Sequence, residues 1–153
     1  MNPWTFAVVP AAVVALSAWL WRRSRVRAGE VRALAATHGF HYLGEALPRS
    51  LDLTGSLLAS VGSVWNVIDG EPRGTRIVAF DCKIGEGRGS RRRTVVAVKG
   101  QVGIPTVLRF DPSLRQEQVR DWVLIYRPED TALIDVGLTP ISELQAYLEA
   151  IAN

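Results

Sequence analysis

The sequence predicts an α+β protein. An apolar amino-terminal helix leads into an antiparallel sheet of five to seven strands, either open or rolled into a barrel, with a short leading helix and an amphipathic carboxy-terminal helix. Three observations carry this expectation. The first 21 residues contain no Lys, Arg, Asp or Glu. Between residues 64 and 100, apolar and polar residues alternate in runs bounded by turn residues. The closing stretch "TPISELQAYLEAIAN" repeats its apolar positions at helical spacing.

Residues 3–21, "PWTFAVVPAAVVALSAWLW", are uncharged and mostly apolar. As a helix, the stretch from Trp4 to Trp21 would span about 26 Å against a hydrocarbon core of roughly 30 Å. Trp4 at one end, with Trp19 and Trp21 at the other, suits the two interfacial belts where indoles are favoured. Pro10 would kink the helix, which membrane helices tolerate. Arg22, Arg23, Arg25 and Arg27 follow at once. Positive charge after an apolar stretch holds that flank in the cytoplasm.

A cleaved secretion signal would need a basic amino-terminal region, and Met1–Phe6 offers only the terminal amine. Cleavage after Ala15-Leu16-Ser17 would leave an apolar stub; a buried helix of a soluble domain is the remaining option. The expectation is a transmembrane anchor and basic flank over residues 1–27, followed by a cytoplasmic domain over 28–153. The amino terminus would lie outside a bacterial inner membrane. The four arginines act first as a topology signal, and contact with anionic headgroups, worth about 1 kcal/mol each, is compatible with that role.

Composition narrows the function classes. The chain has 153 residues, one cysteine, 16 arginines and 2 lysines, an arginine bias that suits a GC-rich bacterial genome. The formal net charge is +3. Without the first four arginines, however, 14 basic residues face 15 acidic ones, and from Asp111 onward eight acids face three bases. Nucleic-acid binding needs many cations on one surface, so nucleic acid is not an expected partner. A single Cys82 excludes an intrachain disulfide framework.

Further along, Val31, Leu34, Ala35 and His38 keep helical spacing and Gly39 is a natural stop, with Phe40 and Tyr42 opening an extended segment. Residues 47–62 carry turn signals around one apolar turn, which could be a short helix. "VWNVIDG", "TRIVAFDCKIG" and "RRTVVAVKG" read as a strand meander joined by "EPRG" and "EGRGS". Val78, Phe80, Cys82 and Ile84 share one face; Asp81 and Lys83 take the other. "PTVLRF", "DWVLIY" and "TALIDV" are further strands. "DPSLRQEQVR" could hold a helical turn capped by Asp111. In the last helix Thr139 is the cap, Pro140 the first residue, and Ile141, Leu144, Leu148 and Ile151 the stripe that packs on the sheet.

Candidate chemistry is sparse. His38 and His41 are separated by the helix-breaking Gly39, with no third ligand near, so neither a metal nor a cofactor is expected. Cys82 alternates with Phe80 and Ile84 and reads as a buried small hydrophobe. "GEGRGSRRR" leads into a strand rather than a helix and lacks the lysine of a phosphate loop. Its bland reading is a hairpin tip. Its functional reading is contact of Arg88, Arg91, Arg92 and Arg93 with anionic lipid.

Asn66, Asp69, Gly70, Gly74, Phe80 and Asp81 stand in "NVIDGEPRGTRIVAFD". With the apolar amino terminus and the Arg/Ala-rich helix ending in a Gly-aromatic pair, this segment resembles a loosely defined group of bacterial single-pass membrane-anchored proteins of unknown function. The resemblance implies an anchored domain and supplies no catalytic residues; Gly70 and Gly74 are accounted for by a turn. The order of elements is also similar to the pleckstrin-homology type of barrel, which implies lipid or peptide binding. The leading functional expectation is a non-catalytic cytoplasmic domain that binds an unknown protein partner at the membrane. The alternatives are an anionic-lipid sensor using the arginine-rich hairpin, or an enzyme whose site gathers His38, His41, Asp81 or Cys82.

Overall fold

A computed structural model of the chain describes residues 5–85, 90–100, 111–128 and 138–152, with the side chains of the first helix from Ala12 onward. The elements are α1 (Thr5–His38), β1 (His41–Gly44), β2 (Val61–Gly70), β3 (Ile77–Ile84), β4 (Arg91–Lys99), β5 (Arg115–Val119), β6 (Trp122–Tyr126) and α2 (Ile141–Ala152). The six strands pair antiparallel in the order β1-β2-β3-β4-β6-β5. The fold is α+β, and the sheet is open. The barrel left possible by the sequence, and the pleckstrin-homology likeness with it, is corrected: β1 and β5 are the edges. With both sheet faces covered by other elements, closure is not needed to bury them.

One face carries Ile68, Ile77, Ala79, Val96, Val98 and Ile125 under Val31, Leu34 and Ala35 of α1 and Leu144, Leu148 and Ile151 of α2. The other carries Val67, Val78, Phe80, Cys82, Val95, Leu124 and Tyr126 beneath Leu51 and Leu58. Burial on both sides explains why "IVAF" and "VVAV" are nearly continuous apolar runs at the centre of the sheet. The expected phase of β3 holds, with Val78, Phe80 and Cys82 on one face and Asp81 on the other.

Residues 45–60 contain no helix, contrary to one option for this stretch. The N–H groups of Leu51, Ser56 and Ala59 donate three residues back to Pro48, Leu53 and Ser56, and Gly55 adopts a φ of 87°. These are successive turns that lay Leu51 and Leu58 over the sheet. Residues 111–120 also differ from expectation. Asp111 caps a turn by accepting from the Ser113 N–H at 2.8 Å, but residues 115–119 then form β5. Pairing with β6 across the two-residue turn Arg120-Asp121 overrides the weak strand propensity of "RQEQV".

The amino-terminal half differs more. Sequence suggested an anchor ending near residue 27 and a separate short helix. Instead α1 runs unbroken through both, because arginine and alanine between residues 22 and 36 favour helix and an exposed Gly29 is tolerated. It stops where expected: Gly39 has a φ of 73°, and the Phe40 N–H donates to the Ala35 carbonyl at 2.8 Å. Among the described residues no helix is long and apolar enough to cross a membrane. Trp4, the side chain of Pro10, Arg88, "PTVLRF" and "TALIDV" lie outside the described residues.

Candidate functional site

The most elaborate polar structure lies where α1 meets the sheet. Arg27 continues the stripe of Val31 and Leu34 one turn toward the amino terminus, so it faces the sheet. Asp81 lies opposite on β3, 2% exposed. The pair is bidentate: Arg27 Nε donates to Asp81 Oδ2 at 2.8 Å and Nη2 to Oδ1 at 3.0 Å. Thr94 Oγ1 on β4 donates to Oδ1 at 2.7 Å, and Asn66 Nδ2 on β2 donates to Oδ2 at 2.9 Å.

Asn66 reaches this carboxylate through a bulge. The β2–β3 register skips between Trp65 and Ile68, and Asn66 sits at a φ of 53°, which Asn tolerates better than most residues. Tyr42 OH then donates to Asn66 Oδ1 at 3.1 Å. The segment before α2 closes the network: Arg27 Nη1 donates to the Thr139 carbonyl at 2.8 Å, and the Thr139 N–H donates to Thr94 Oγ1 at 3.0 Å. Both Asp81 oxygens accept twice, so no lone pair remains to take a proton from a substrate. The cluster is a clamp joining α1, β2, β3, β4 and the start of α2.

Open space flanks the clamp. A cavity of about 380 Å³ is lined by Arg23, Arg27, Glu30 and Leu138 among others. A second, of about 610 Å³, is lined by Leu20, Trp21, Tyr42, Glu45 and Lys83. Ser24, Trp65, Asn66 and Arg92 line both.

The arginines expected to mark topology or touch lipid are placed unequally. Arg22, Arg23 and Arg25 are exposed on α1, with Arg23 over the Trp19 ring at 5.3 Å and Arg25 over Trp21 at 4.1 Å. Arg27 belongs to the clamp, not to an outer basic surface. The run Arg91–Arg93 divides by strand alternation. Arg92 faces α1 over the Trp65 ring at 5.7 Å, whereas Arg93 donates to the Pro128 carbonyl at 2.6 Å and stacks on Tyr126 on the other face. Two clusters more than 60 residues apart in sequence therefore contribute Arg23 and Arg92 to one cavity.

The candidates for chemistry are not brought together. His38 ends α1 with Nε2 3.8 Å from Glu149, and His41 is exposed on β1 opposite Asp69. Cys82 faces away from Asp81, and burial, then the Asp81 charge, pushes its thiol up to about 12. Among the described residues no three His, Cys, Asp or Glu side chains gather as a metal site. Sequence reasoning missed the Arg27–Asp81 pair, although an arginine in phase with an apolar stripe and an aspartate inside an apolar strand were both visible signals. It also left Trp65 and Lys83 without a role. No protein-family model, curated protein or solved structure matches this chain.

Proposed function

We propose that the chain is a single-pass membrane-anchored protein whose body is a non-catalytic interaction domain on the cytoplasmic side of a bacterial inner membrane, acting by binding a partner protein. The supporting observation is the state of α1 ahead of the clamp. Val13, Val14, Leu16, Trp19 and Trp21 are 49–67% exposed, and at about 100° per residue they point to all sides of the helix. A helix apolar all round suits hydrocarbon rather than docking on a core by one face. The uncharged stretch continues toward the amino terminus beyond the described side chains. The reading agrees with the anchored group that the sequence resembles.

A topology assay tests it. The full chain, fused after Asn153 to a reporter active only in the cytoplasm, should give signal in the membrane fraction, and deletion of residues 1–21 should move that signal to the soluble fraction. Activity only from a reporter that works outside the membrane removes the assigned orientation. A full chain found in the soluble fraction removes the anchor.

A second reading, sensing of an anionic leaflet, is favoured by the convergence of Arg23 and Arg92. A chain beginning at Arg22, which keeps the clamp, should pellet with vesicles containing phosphatidylglycerol and not with phosphatidylcholine alone. Equal pelleting after Arg22, Arg23, Arg25, Arg91 and Arg92 are changed to Ala removes this reading.

A further inference from the structure

The two cavities beside the clamp share four lining residues and make one groove that opens on opposite flanks of α1, by Arg23 and Glu30 on one side and by Trp21 and Ala28 on the other. Its larger half reaches Leu20 and Trp21, where the uncharged stretch of the helix gives way to arginine. Across from them stand Trp65, Lys83 and Arg92 on β2, β3 and β4. We propose that this groove holds the headgroup of one acidic phospholipid, with its phosphate between Lys83 and Arg92 and an acyl chain along Leu20 and Trp21. The proposal rests on the reading of α1 as the anchor and specifies a ligand that the general reading does not contain.

The pairing of β3 with β4 is the main argument. Lys83 and Arg92 are direct cross-strand partners on the face that α1 covers. Opposed residues in an antiparallel pair have Cβ atoms about 5 Å apart, and like charges there repel. A phosphodiester between the two heads would meet both cations and is of the right size and charge. The groove has a wet, cationic end and an apolar end on the helix. Trp65 and Trp21 line its larger half, as amphipathic indoles do at the boundary between headgroups and acyl chains. The groove also meets Glu30 and Glu45, but both are exposed and neither belongs to the strand pair carrying the two cations. A soluble phosphate would use Lys83 and Arg92 but would leave the Leu20–Trp21 wall unused.

The test uses the full chain extracted in mild detergent from a membrane containing acidic and zwitterionic phospholipids, with retained lipid counted by native mass spectrometry. Wild type should keep one acidic phospholipid per chain in preference to a zwitterionic one. Lys83→Ala with Arg92→Ala should reduce that retention by roughly tenfold or more. Lys83→Arg should preserve it, as should a charge-matched control, Arg49→Ala with Arg115→Ala. Equal melting temperatures for these variants separate lost binding from lost folding.

Equal retention by the double variant, or no preference for acidic lipid, overturns the proposal. Displacement of the lipid by millimolar inorganic phosphate would reassign the site to free phosphate and overturns it too. A wild-type chain absent from the membrane fraction defeats the anchor reading instead, a result distinguishable from loss of retention by a chain that remains in the membrane.

Discussion

Arg27 and Asp81 stabilise each other only as a pair. Removing one partner leaves the other charge buried among the five elements that meet there. Asp81→Ala is therefore expected to lower unfolding stability by about 3–5 kcal/mol, and Arg27→Met by a similar amount. Arg27→Met combined with Asp81→Leu should cost less than the two single changes added, because no orphaned charge remains. Denaturant midpoints of the three variants check this; single losses below about 1 kcal/mol would mean that water reaches the pair.

Cys82 sets a different expectation. Its thiol is raised from 9.0 to about 12. A folded value above the unfolded one means the neutral thiol's contribution is complete below about pH 9 and is lost as pH rises toward 12. Tyr126 and Tyr147 are raised from 10.0 to about 12, first by burial and then by donating to Glu117 and Glu143, and steepen the same limb. The melting temperature should be insensitive to these groups near neutral pH and fall above about pH 9. Cys82→Ala should make the fall shallower. A thiol reagent at about pH 8 should label the protein only after denaturation.

At the scale of elements, the continuity of α1 makes its two halves one lever. Two alanines inserted between Trp21 and Arg22 rotate everything before them by about 200° relative to the clamp and put alanine at the two wall positions. Membrane fractionation and folding should be unchanged, while Leu20 and Trp21 leave the groove and acidic-lipid retention falls. Retention equal to wild type would show that the helix flank takes no part.

The end of β2 carries a second element-level prediction. Gly70 reads from sequence as a turn residue, but it is the last residue of β2, and a Cβ there would lie 2.5 Å from Phe40 Cδ1. Close approach of the residue that follows α1 requires glycine at this position. Gly70→Ala should cost about 1–3 kcal/mol through overpacking, measured by denaturant unfolding. Gly74, with a φ of 81°, is the position where the turn itself favours glycine.

For the whole molecule, legibility followed the range of the signal. The meander, the Gly39 stop and the stripe of α2 were readable because alternation, helical spacing and turn chemistry are carried by neighbouring residues. β5 was not, since only one of its residues, Val119, is buried and its strand state comes from its partner. The turns at 45–60 were ambiguous because covering a sheet face demands two leucines and no period.

The two basic runs were legible as charge, but Arg92 and Arg93 were read together, and strand alternation sends them to opposite faces. That Arg27 leaves the basic flank to meet Asp81, 54 residues away, depends on where the helix crosses the sheet. So does the meeting of Trp65, Lys83 and Arg92 with Trp21. Apolar periodicity sets which residues of each segment point inward, because that is a property of a few adjacent side chains. Which inward residues of different segments become neighbours is set by strand order, register and helix crossing, and these arise only when the whole chain closes on one core.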